Sequence, residues 1–342
     1  MERSSPPSPD EERQSASERP WLESPAWQQG PRVSGPFTFM RVPPTRDLRQ
    51  VDVAIVGVPF DATTFYRPGA RFGPQAIRQA SAHLRPYPAR REDAFPPFDR
   101  LRVVDYGDVN VLPVASDENL RRIQETVSSI LSTGAFPLCL GGDHSITLPV
   151  LRALVPHYGP LALVHFDAHP DFWPPLLGHL HYHGSTFRIA HEEGLIDLDR
   201  SIQVGIRGSI SSAIIEEARA AGFLIVTADE AVQRGIERVL ELVHERARGP
   251  VYVSLDIDCV DPAYAPGTGT PEVAGFTSRE IMALVRGLRG LEMVGFDVVE
   301  VAPAYDNAEI TALLAATLVY EYLRVLADAR PPALGDDLPR AG

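Results

Sequence analysis

From about residue 51 to residue 327, short apolar runs alternate with longer stretches of helical period. The apolar runs fall at 51–58, 101–105, 135–140, 161–167, 202–206, 223–227, 251–256 and 294–300. Several are rich in Val, Ile and Leu on both alternating faces, as expected of strands covered by helices on each side. Between them, segments 73–84, 117–132, 146–156, 211–221, 229–247, 278–288 and 308–327 repeat apolar residues at three- and four-residue spacing and predict helices. Ser278, two residues ahead of Glu280, is placed to cap the helix over 278–288. Such alternation predicts a mostly parallel sheet of eight strands, in one α/β domain spanning 35–330 with no repeat or internal linker. Residues 1–34, dense in Pro, Ser, Glu and Arg, predict a disordered arm, and 331–342 a flexible tail.

Composition narrows the chemistry. All 32 basic side chains among the 342 residues are arginine. Without lysine, Schiff-base catalysis, a phosphate-binding loop of the lysine type and a kinase's strand lysine are excluded. The net charge of −13 opposes binding to nucleic acid, which clustered cations drive. No apolar run approaches the ~20 residues of a membrane span, and the N-terminus lacks the apolar segment of a signal peptide. Only Cys139 and Cys259 are present, so no disulfide framework exists; both read as small core residues, and a cytoplasmic location is expected.

Eight of the ten histidines lie between His144 and His191, and three segments there and beyond combine histidine with carboxylates. Gly141-Gly142-Asp143-His144 follows the third strand; alone, it is equally a histidine packed at a helix start. Asp167-Ala168-His169-Pro170-Asp171 runs off the fourth strand, its three ligand-type side chains alternating onto one side. Asp256-Ile257-Asp258 ends the seventh strand with the same alternation. Same-face carboxylates repel unless a cation or proton stands between them. Two imidazoles and four carboxylates match two divalent ions with shared carboxylates, and the four negative charges balance. Oxygen-rich coordination without thiolate favours Mn²⁺, with Ni²⁺, Co²⁺, Fe²⁺ and Zn²⁺ left open.

GGDHS, HFDAHPD and SLDIDCVDPAYAPGTGTPE, with PFDATTFYRPGARFGPQAIR before them and GFDVVEVAPAYD after, resemble the signature segments of the ureohydrolase family of arginases and agmatinases. The resemblance spans roughly 36–326 and implies a three-layer α/β/α fold with the motif-bearing strands adjacent at the sheet centre. It implies that His144, Asp167, Asp171 and Asp256 hold one Mn²⁺, and that His169, Asp167, Asp256 and Asp258 hold the other. By the same resemblance Glu300 pairs with a guanidinium and His183 serves proton transfer or substrate contact. Asp171 is then the donor to the departing amine, and the products are urea and an amine. Homo-oligomers, trimeric or hexameric, are implied as well.

The substrate tail is less closely specified. Phe172 to Leu177 is mostly apolar where arginases are polar, which disfavours arginine and favours agmatine, with Trp173 or Tyr182 facing its ammonium. A 4-guanidinobutanoate or bulkier guanidino substrate stays open. Arg207 would pair with a substrate carboxylate or, more simply, serve structure; Arg67 and Arg71 read as structural or subunit contacts. His179, His181 and His183 alternate, but a third metal site is not needed to explain them. A single-zinc deacetylase would need fewer ligands, and a catalytically inactive binding or regulatory relative would be expected to have lost one.

Overall fold

The computed structural model describes residues 32, 37–86, 96–113, 116–177 and 181–329. The arm expected over 1–34 (Arg32 apart), the tail over 331–342 and His179 lie outside the described residues.

All eight expected strands form and join in one parallel sheet: β1 Val53–Gly57, β2 Val103–Asp108, β3 Phe136–Leu140, β4 Ala162–Phe166, β5 Ile202–Ile206, β6 Leu224–Thr227, β7 Pro250–Asp256 and β8 Glu292–Val299. Their order across the sheet is β2-β1-β3-β8-β7-β4-β5-β6. The two strands last in sequence thus return to fill the gap between β3 and β4.

The helices are α1 Gly73–Ser81, α2 Ser116–Leu131, α3 Thr147–Tyr158, α4 Thr186–Glu192, α5 Ser212–Ala221, α6 Ala228–Arg234, α7 Ile236–Arg246, α8 Ser278–Arg286 and α9 Ile310–Asp328. Strand alternation sorts them into two layers. Val53 and Ile55 of β1 join a core with Ile77 of α1, Val239 of α7, Ile281 of α8 and Leu318 of α9. Ala54 and Val56 face a second core with Ile123 of α2, Leu151 of α3, Phe187 of α4 and Ala218 of α5. The result is the expected three-layer α/β/α fold.

Three local expectations need correction. The helix over 229–247 is two helices, because Gly235 between them has φ 80°, a left-handed conformation that ends α6. Thr277 rather than Ser278 caps α8: its hydroxyl accepts from the Glu280 amide (3.2 Å) while the Glu280 carboxylate accepts from the Thr277 amide (2.8 Å). Helix α4 was not expected; it is short and begins in a polar, histidine-bearing stretch. In addition, α9 is by length and composition apolar enough to cross a membrane, contrary to the reading of the runs. Most of it is buried against the sheet and α1, as in the core helix of an α/β domain.

Candidate metal centre

Register brings the motif residues together. Phe166 pairs with Leu255, so Asp167 and Asp256, the next residues, leave the sheet side by side. Asp256 in turn pairs with Val299, which places Glu300 beside it, and Leu140 of β3 pairs with Val298. The four central strands β3, β8, β7 and β4 therefore deliver every candidate metal ligand and Glu300 to the carboxyl edge of the sheet, where open α/β folds place their ligands.

The turn after β3 works only with glycine. A Cβ on Gly142 would stand 1.7 Å from the Phe60 carbonyl oxygen, and one on Gly141 2.5 Å from a Val299 methyl. A Gly142→Ala variant is expected to lose more than about 3 kcal/mol of stability or fail to fold. Soluble yield and Tm measure this; a parental Tm would show that the loop has room.

His144 is fully buried, with its Nδ1 3.1 Å from Asp167 Oδ2, 3.0 Å from Asp171 Oδ2 and 3.2 Å from Asp256 Oδ2. His169 Nδ1 lies 3.4 Å from Asp167 Oδ1 and 3.0 Å from Asp258 Oδ2. The structure thus assembles all six expected ligands into two groups that meet at Asp167. It sets Asp256 near His144 and ties it to Asp258 through the Asp258 amide (2.8 Å).

Hydrogen bonds around the ligands suit a metal. The Ser254 hydroxyl donates to Asp297 Oδ1 (2.6 Å) and so accepts from His144 Nε2 (2.8 Å). That fixes a ring proton on Nε2, so Nδ1, without a hydrogen-bond partner among three carboxylates, is the nitrogen that carries a second proton or, in the neutral ring, the lone pair a metal would take. Asp297 is itself held by Thr147 and Tyr252 hydroxyls (2.7 and 2.6 Å). His165 is a buried histidine of the cluster that sequence reasoning passed over. Its Nε2 is 2.7 Å from Asp167 Oδ2 and its Nδ1 3.1 Å from the Gln203 amide, so both nitrogens are engaged and it supports Asp167 instead of offering a lone pair.

Electrostatics agree. Burial pushes Asp256 above the usual carboxylate range, and the charges of Asp258 and Asp167 add to it. Burial likewise raises Asp258, with Asp167 reinforcing it. Burial by itself would lower His144, but Asp167, Asp171 and Asp256 reverse this and hold the imidazole well above its ordinary value. Anionic crowding of this degree favours a bound cation, and protons partly substitute for it in the bare cluster. The donor set, the fixed tautomer and the orphaned Nδ1 all fit divalent metal.

Glu300, 1% exposed, has φ 62°, and Asp171 has φ 44°. Left-handed conformations at non-glycine residues cost about 1–2 kcal/mol each and cluster at functional sites. Glu300 Oε1 accepts from the His144 amide (3.0 Å) and lies 3.1 Å from His183 Nδ1, whereas its buried Oε2 has no hydrogen-bond partner. Burial works against the His183 charge, but the hydrogen bond to Glu300 and its charge raise the imidazole to about 9.

A cavity of about 290 Å³ opens over the cluster, lined by His169, Asp171, His183 and Asp256 below and by Phe65, Trp173 and Tyr182 at the sides. Phe65 was not anticipated; its ring centroid is 4.8 Å from that of Tyr182. Phe172, in contrast, turns into the core against Phe223 and under Arg188, so the apolar run after the metal segment presents Trp173 to the cavity and withholds its neighbour. His181 faces a separate cavity. Arg207 donates to the backbone carbonyls of Gly205, Asp258, Cys259, Val260, Glu272 and Val273, a structural role that leaves no place for a substrate carboxylate. Arg71 pairs with buried Asp61, Arg67 stacks on Tyr66 and Tyr305, and both cysteines are buried thiols.

The arginase-family model matches residues 51–324. The chain belongs to the arginase family. This arginase-family chain is 46% identical over 297 residues to the mitochondrial agmatinase of Gallus gallus, covering 86% of itself and 87% of that protein. It is 45% identical over 301 residues to the guanidinobutyrase of Pseudomonas aeruginosa, covering 86% and 94%. Its structure superposes on the proclavaminate amidinohydrolase of Streptomyces clavuligerus with a TM-score of 0.84 at 43% identity, covering 88% of this chain and 100% of that one. It is a ureohydrolase-type enzyme acting on guanidino compounds.

Proposed function

We propose that the chain hydrolyses agmatine to putrescine and urea with two Mn²⁺ held by His144, Asp167, His169, Asp171, Asp256 and Asp258. The observation that carries the choice of agmatine is the cavity wall. Its described lining offers the rings of Phe65, Trp173 and Tyr182 and no arginine. Aromatic faces suit an ammonium tail, worth about 0.5–2 kcal/mol per contact, whereas a carboxylate tail would want a cation.

Bound divalent ions would supply the Lewis acidity that brings the pKa of water to about 7. The chain's own residues do the rest. Glu300 Oε2 would accept from the guanidinium and hold its carbon over the cluster, an orienting role suited to a carboxylate. His183, beside Glu300, would contact the substrate or relay a proton. Asp171, at the cavity floor, would take the proton of the attacking water and pass it to the departing amine nitrogen as that nitrogen's bond to the guanidinium carbon breaks. Trp173 and its aromatic neighbours would exclude water from the methylene chain.

Urea release by manganese-loaded protein from agmatine, 4-guanidinobutanoate and 3-guanidinopropionate tests the reading. Agmatine is expected to lead in kcat/KM by about tenfold or more, the worth of one cation–π contact or a missing counter-charge. Preference for a guanidino acid would overturn agmatine and keep guanidino hydrolysis.

A further inference from the structure

The loop leaving β1 carries a threonine that no metal or substrate role requires, yet it lies at the junction of three segments of the site. Thr63 donates to Asp143 Oδ2 through its amide (3.0 Å) and its hydroxyl (2.7 Å), and its hydroxyl oxygen accepts from the His183 amide (3.1 Å). We propose that Thr63 is a positioning residue: its hydroxyl, aimed by Asp143, fixes the His183 peptide and through it the His183–Glu300 pair on which the guanidinium is to rest. This rests on the guanidino hydrolysis proposed above.

Hydroxyl chemistry makes the arrangement directional. A threonine hydroxyl has one proton and two lone pairs. As a carboxylate, fully buried Asp143 has only acceptors, and its other oxygen is taken by the amide and hydroxyl of Ser145. The Thr63 proton therefore goes to Asp143, and a lone pair is left for the His183 N–H. Were the proton turned toward His183, two hydrogens would face each other and a buried carboxylate would lose a donor.

The contacts close a ring. The Gly142 carbonyl accepts from the Glu300 amide (2.8 Å), Asp143 holds Thr63, Thr63 holds His183, and His183 Nδ1 returns to Glu300 Oε1 at 3.1 Å. Gly142, Asp143 and Glu300 directly follow strands β3 and β8, whereas Thr63 and His183 lie on longer loops that the Thr63 hydroxyl bonds together. The same bond places Phe65, two residues on, with its ring 5.9 Å from that of His183. Without the Thr63 bond the His144 amide would still hold Glu300 Oε1, but its contact with His183 would lose its registration.

The test compares Thr63→Val, which keeps shape and removes the hydroxyl, with Thr63→Ser, which keeps the hydroxyl. Both are metal-loaded and assayed with whichever guanidino compound the parent turns over best. Thr63→Val is expected to lower kcat by about tenfold to a hundredfold, the cost of a misplaced reacting group, with KM changed less than about threefold and metal content unaltered. Thr63→Ser is expected to keep kcat within about threefold of the parent. Amide hydrogen exchange at His183 should quicken by about tenfold or more in Thr63→Val and not in Thr63→Ser. Parental kcat and His183 protection in Thr63→Val, or equal impairment of both variants, would overturn the proposal. If the parent releases urea from no compound, the functional reading fails by itself, and hydrogen exchange at His183 still decides the role of Thr63.

Discussion

Replacing Asp256 by asparagine is expected to lower urea release by at least about three orders of magnitude, about 4 kcal/mol of transition-state stabilisation. Asp256 Oδ2 lies among the oxygens around His144 and its Oδ1 is tied to the Asp258 turn, so one atom exchange reaches both halves of the cluster. Stability should respond with opposite signs in the two states. In the metal-free chain, burial and then the charges of Asp258 and Asp167 raise the pKa of Asp256. A carboxyl with a raised pKa binds its proton more tightly folded than unfolded, so it costs stability as pH rises from the ordinary carboxylate range toward the raised value. The neutral amide of Asp256→Asn removes that cost and should raise the metal-free Tm at pH about 8. Added Mn²⁺ should raise the parental Tm and move that of the variant little, since a ligand stabilises only the state that binds it. Metal analysis with paired melting curves reads both effects; a variant that keeps two ions and parental turnover would remove Asp256 from the ligand set.

Glu300→Gln is expected to lower kcat/KM by about a hundredfold to a thousandfold, comparable to losing one buried charge-assisted contact to the reacting group. Metal content should be unchanged, which separates it from Asp256→Asn. The substitution also takes the counter-charge from His183. With Glu300 present, the His183 imidazole is raised to about 9 from an ordinary 6.5. A raised histidine contributes stability that is fully present below about 6.5 and is lost as pH rises through about 9. The metal-free parent should therefore lose Tm across that window, and Glu300→Gln should show a flatter profile. Equal pH slopes in parent and variant would break the link between the two residues.

The strands were legible because most are runs rich in Val, Ile and Leu, several buried on both faces, and the ligands because five of the six alternate at the ends of two of those runs. What could not be read lies across the chain. His165 sits inside a strand and looks like one more β residue until Asp167 and Gln203 close on it. Thr63, Ser254 and Asp297 are ordinary in type, and their partners stand 43 to 150 residues away. Phe172 and Trp173 are both large aromatics in an irregular segment, and nothing local tells which turns inward. Gly235 ended a helix in a stretch whose apolar spacing continues on both sides, because spacing reports the buried face and not the sign of φ.

Arg207 has a consequence for how such a site can change over time. It grips the segments around Asp258 and Glu272 by their carbonyl oxygens, an identity-blind contact that every residue type can satisfy. The exposed side chain of Val273, and that of Glu272 beside His169, can therefore be exchanged without slackening the turn that carries Asp258. The grip on the peptide thus holds Asp258 in place whatever side chains the neighbouring segment carries. Lysine, with three donors on a single nitrogen, could not span those carbonyls, so at this one position arginine is a requirement of shape.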